Sequence, residues 1–72
     1  MKQFNYNKLR GRIKEKGYTQ EDIAKKIGIA ESTFSLRLNN QSLFIQDEIN
    51  EIIKILEIPA EEIKPYFFEE KV

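Results

Sequence analysis

Apolar residues recur along this chain at helical spacing, and almost nowhere do they alternate as a half-buried strand would require. Leu9 and Ile13 stand four apart, with Tyr6 extending the same stripe; they predict a first helix from about Asn7 to Lys16, stopped by Gly17. Thr19 offers an N-cap hydroxyl, and Glu21 and Asp22 place negative charge in the first turn that follows, where the helix dipole favours it. Ile23 and Ile27 form the stripe of this second helix, and Gly28 ends it. A third helix is expected from about Glu31 to Asn39 with Phe34 and Leu38 inward, and a fourth from about Gln46 to Glu57. The fourth carries Ile49, Ile52, Ile53 and Leu56 at i, i+3, i+4 and i+7, the clearest amphipathic stripe in the chain. A short fifth helix opens at Pro59, is anchored by Ile63 and is expected to stop at Pro65. The tail, residues 66–72, shows no helical period. The expected class is all-α, a five-helix domain spanning residues 1–72.

The second and third helices are separated only by Ile27-Gly28-Ile29-Ala30. Two helices joined this tightly must cross steeply to bury both stripes, which is the geometry of a helix-turn-helix over residues 19–39. Ala24 suits the point of closest approach, and Gly28 suits a sharp turn with positive φ. Ile23, Ile27, Ile29 and Phe34 would make the small core that fixes the crossing.

The run Thr19-Gln20-Glu21-Asp22-Ile23-Ala24-Lys25-Lys26-Ile27-Gly28-Ile29-Ala30-Glu31-Ser32-Thr33-Phe34-Ser35 resembles the helix-turn-helix of the lambda repressor/Cro-like (XRE) regulators. With a basic helix before it and two short helices after it, the chain looks like the short Cro-like regulators of Gram-positive phages and prophages. That resemblance implies a cofactor-free repressor that binds a duplex DNA operator and occludes a promoter, working as a homodimer on two half-sites. It implies that Gln20 meets a phosphate at a helix N-terminus, and that Glu31, Ser32, Ser35 and Leu36 face base edges. Asn39 matches a phosphate-contacting position, which Asn40, Gln41 and Ser42 would continue. A helical wheel agrees in part. With Phe34 and Leu38 inward, Ser32, Leu36 and Asn39 point outward, Thr33 and Ser35 flank them, and Glu31 stands at the exposed end.

Arg37 departs from the pattern, standing where the family prefers an aliphatic residue. Either Leu38 takes over the packing and frees Arg37 for a phosphate or a base, or Arg37 itself packs. The third helix is otherwise poor in cations, so phosphate contacts would have to come from residues such as Lys2, Lys8, Arg10, Lys25 or Lys26.

Charge sharpens the question. The chain is neutral overall, with 12 Lys/Arg and 12 Asp/Glu. Residues 1–40 hold nine cations against four acids, whereas residues 41–72 hold three against eight. A basic first half suits nucleic acid; an acidic second half does not. Two apolar runs add a second theme. Leu43-Phe44-Ile45 either folds back on the core or forms an exposed patch for another protein, and Ile45 sits where an N-cap Ser, Thr or Asp would be usual. Tyr66-Phe67-Phe68 either seals the bottom of the core or joins a homodimer interface. The alternative function is therefore a protein-binding modulator or antirepressor that pairs with a cognate repressor through the same fold.

Composition removes other classes. With no Cys and no His there are no disulfides, no thiolate nucleophile and no usual zinc site or neutral-pH base. No Ser has a plausible base and no Gly-rich phosphate loop exists, so an enzyme is not expected. The N-terminus lacks the apolar core of a signal peptide, and no run could span a membrane, so a cytoplasmic setting is expected.

Overall fold

The structure, a computed structural model, describes residues 2–72. It is a small all-helical domain of five α-helices: α1 Asn7–Glu15, α2 Gln20–Ile27, α3 Glu31–Leu38, α4 Gln46–Leu56 and α5 Ile63–Phe67, the last entered through a 3-10 turn at Ala60–Glu62. Leu9, Ile13, Ile23, Phe34, Leu38, Ile52, Leu56 and Phe67 meet in one buried core. Ile27, Ile29, Ile49 and Ile53, expected inside, pack against that core half-buried.

The first four helices end in one way. A residue at positive φ follows each: Gly17 at 82°, Gly28 at 80°, Asn40 at 64° and Glu57 at 53°. The next N–H then reaches back five residues, Tyr18 to Ile13, Ile29 to Ala24, Gln41 to Leu36 and Ile58 to Ile53, all within 2.9–3.0 Å. This Schellman arrangement satisfies carbonyls that the helix leaves open and turns the chain sharply into the next element.

α2 begins as its sequence requires. The Thr19 hydroxyl accepts the Asp22 N–H at 3.1 Å and the Asp22 carboxylate accepts the Thr19 N–H at 2.8 Å, a complete capping box. The Thr19 N–H, and after it the Thr19 hydroxyl, hold the Asp22 carboxyl below its usual range, because they favour its charged form.

Two arginines of α1 tie the other helices together. Arg10 Nη2 donates to the Leu38 carbonyl at 3.1 Å, at the end of α3. Arg12 donates through Nε to Leu56 O at 3.0 Å and through Nη2 to Glu57 O at 3.2 Å, at the end of α4. Both cations sit where the partial negative charge of a helix C-terminus is greatest.

The chain ends differ from expectation. Pro65 does not stop the last helix; it lies within its first turn, where the missing N–H has no partner inside the helix. Tyr66 and Phe67 are therefore helical and buried. Beyond them the tail turns back along the N-terminal segment, with Asn5 N donating to Glu69 O at 2.7 Å and Lys71 N to Gln3 O at 2.9 Å. Among the described residues, no helix is long and apolar enough to cross a membrane.

Candidate functional site

The outward face of α3 follows from its inward one. Phe34 and Leu38 are buried four apart, so Glu31, Ser32, Leu36 and Asn39 are exposed and Thr33 and Ser35 are half-buried beside them. Leu36 is 44% exposed and stands among small polar side chains. Gln20, at the first turn of α2, is half-buried.

Arg37 does not belong to this face. Its Nε donates to Glu48 Oε1 at 2.6 Å and its Nη2 to Glu48 Oε2 at 3.0 Å, a two-pronged ion pair, while Nη1 donates to the Ser42 hydroxyl at 2.8 Å. Glu48 is only 5% exposed. All three nitrogens of the guanidinium are engaged within the fold, so of the two alternatives left open for Arg37 the structure has it packed. Glu48 does a second job: its Oε1 accepts the Ile45 N–H at 3.1 Å. That is half of a capping box, supplied from the third position of α4, and it explains how an apolar residue can stand at the N-cap.

Other expected phosphate contacts are likewise engaged. Asn40 is buried; its Oδ1 accepts the Phe4 N–H at 2.7 Å and its Nδ2 donates to the Phe4 carbonyl at 2.8 Å. Its side chain acts as a strand partner for the N-terminal segment, so its carboxamide is engaged within the fold. Ser42 serves Arg37. Arg10 also donates to Asn39 Oδ1 at 3.2 Å, and Asn39 Nδ2 donates to the Ser35 hydroxyl at 3.3 Å. Lys8 lies 3.7 Å from Glu62 and 5.0 Å from the Tyr66 ring centre. Gln41 remains exposed. The outer face of α3 thus presents one acid, Glu31, and no free cation among the described residues.

The second region is built on Phe44. Its ring meets Tyr6, Phe34 and Phe67 edge to face at 5.4, 5.9 and 5.9 Å between centres. Each such pair contributes about 0.5–1.5 kcal/mol beyond the area it buries. Phe44 therefore folds back on the core, as do Tyr66 and Phe67. Of the two alternatives left open for each run, Phe44, Tyr66 and Phe67 take the core. Leu43 and Ile45, on either side of Phe44, are 53% and 56% exposed, and Phe68 is 47% exposed. Phe4, Leu43, Ile49 and Phe68 frame an apolar groove of about 190 Å³, with Phe44 and Phe67 among its lining.

Sequence reasoning missed Glu48 and the partner of Asn40. The signal for Glu48 was present: a cation where packing wants an aliphatic residue implies a nearby acid, and α4 offers one at its N3 position. Asn40 gave less away, since an Asn after a helix is common for its tolerance of positive φ alone.

This architecture is that of a known group of small proteins. The chain belongs to the family described as "Protein of unknown function (DUF739)", whose model matches residues 2–70. Among solved structures it is similar to the solution structure of the modulator of repression (MOR) of the temperate bacteriophage TP901-1 from Lactococcus lactis. The two are 38% identical over 90% of this chain and 88% of that one, with a TM-score of 0.75. No curated protein matches the chain.

These findings overturn the lambda repressor/Cro-like assignment. The residues that carried it (Thr19, Ala24, Gly28, Phe34) cap, turn and pack two crossing helices. They report a local geometry that different families share, so they could not decide lineage.

Proposed function

We propose that this protein is a modulator of repression that works by pairing with a DNA-binding repressor protein, and that α2 and α3 form a helix-turn-helix scaffold put to that use. The observation that carries this reading is the Arg37–Glu48 pair. It withdraws the one cation of α3 and leaves an outer face of Glu31, Ser32, Ser35, Leu36 and Asn39. A surface that binds duplex DNA draws most of its affinity from Lys and Arg on phosphates. This face has one negative charge and an exposed leucine, a composition suited to another protein. The likeness to a phage modulator of repression points the same way. In this reading the repressor's operator-reading surface is masked by the pairing, and no catalysis is involved.

A mobility-shift experiment tests it, using the helix-turn-helix repressor encoded nearest the gene and that repressor's operator. The chain alone is expected to leave operator and random duplexes unshifted at low salt, and to release the operator when added to the repressor complex. A shift by the chain alone, weakening steeply with salt, together with no effect on the repressor, would overturn the proposal.

A further inference from the structure

Leu43 and Ile45 are not slack loop residues. Their segment is pinned at four points: Asn40 to Phe4, Ser42 to Arg37, Phe44 into the aromatic core, and the Ile45 N–H to Glu48. With Phe44 drawn inward, its two neighbours are held outward. An apolar pair fixed in place loses little conformational freedom on binding, which is what a strong interface anchor requires. Phe68, set edge-on to Phe4 at 6.3 Å, extends the patch across the groove. The groove volume of about 190 Å³ exceeds the roughly 150 Å³ that admits a benzene ring, so one large apolar side chain fits.

The surroundings favour a cationic visitor. Asp47 follows Ile45 by two residues; it is exposed and has no cation within 4 Å among the described residues. From this we infer that the strip Leu43–Ile45 with Phe68 is the docking surface for the repressor, taking an apolar side chain of its basic, DNA-contacting face into the groove while Asp47 meets a cation of that face. A repressor must carry such cations to hold phosphates, so the surface competes with DNA for them. The inference rests on the proposed function.

Titrating purified repressor, the one encoded nearest the gene, into ¹⁵N-labelled chain separates the two. Amide shifts centred on Leu43, Ile45, Asp47 and Phe68 are expected. Shifts confined to Ser32, Ser35 and Leu36 would overturn the docking surface and leave the proposed function standing. No shift anywhere would overturn the proposed function itself. Strip amides that move with chain concentration alone, and then resist the repressor, would assign the patch to a second copy and overturn the inference. The double variant Leu43→Ser/Ile45→Ser is expected to weaken repressor binding on the order of 100-fold; equal binding by the double variant would contradict it. Thermal melts check that the variant folds, and the labelled wild-type map decides the matter where it does not.

Discussion

Glu48 is the residue on which most of the local structure converges. It neutralises Arg37, caps α4 through the Ile45 N–H and so fixes the segment that presents Leu43 and Ile45. Removing one member of a buried pair leaves the other charge uncompensated, at a cost of about 3–5 kcal/mol, whereas replacing both with apolar side chains can be neutral. Glu48→Ala is therefore expected to destabilise by about 3 kcal/mol in urea unfolding, and Arg37→Met/Glu48→Leu to recover most of that loss. Additive losses in the double variant would contradict this account of the pair. Asp22 supports a second expectation. Its carboxyl is held low by the Thr19 N–H and hydroxyl, so its contribution is fully present above the ordinary carboxylate range near ~4 and disappears as pH falls through its depressed value. The melting-temperature gap between wild type and Asp22→Asn should be constant from pH 7 to about 5 and narrow steadily as pH falls below about 4. A gap that does not narrow below about pH 4 would show that the Asp22 charge is not its source.

At the scale of elements, the four helix ends explain how much was legible. Gly17 and Gly28 mark their turns openly, because glycine adopts positive φ at no steric cost. Asn40 and Glu57 occupy the same backbone position without announcing it, and Glu57 stands there although a side chain in this region costs about 1–2 kcal/mol. Its carboxylate reaches Lys16 Nζ at 2.6 Å, and its carbonyl accepts from Arg12; these long-range bonds cannot be read from local spacing. The helices themselves were predicted within a residue at most ends because their apolar spacing is regular. Pro65 misled because proline marks both a helix stop and a helix first turn, and only the preceding 3-10 turn decides between them. The turn between α2 and α3 offers a clean test. No atom lies within 4 Å of a Cβ added at Gly28, so Gly28→Ala should cost only its backbone strain, about 1 kcal/mol, and Gly28→Asn less. A loss of several kcal/mol in Gly28→Ala would mean that the α2–α3 contact itself is disturbed.

Across the whole molecule, folding sets part of the basic first half against the acidic second half. Lys2, Lys8, Lys16 and Arg37, all from the basic half, lie within 4 Å of Glu70, Glu62, Glu57 and Glu48 of the acidic half. The exposed pairs contribute little stability each, yet each sets a cation of the first half against an acid of the second. Function was legible in the sequence to the same degree as these pairings. The scaffold and the exposed leucine could be read from spacing, but the direction of each cation depends on contacts between residues 11 to 68 positions apart. What remains outward on α3 is a face whose one charge is Glu31, and beside it a pinned apolar strip; the proposed pairing with a repressor rests on these two features. Calorimetric titration of the chain into the repressor, first free and then saturated with operator duplex, tests this most directly. The account predicts a stoichiometric complex with free repressor, an apparent affinity lowered in proportion to the operator present, and no heat when the chain meets duplex alone. Saturable, salt-sensitive binding to duplex with no complex formed on free repressor would contradict it.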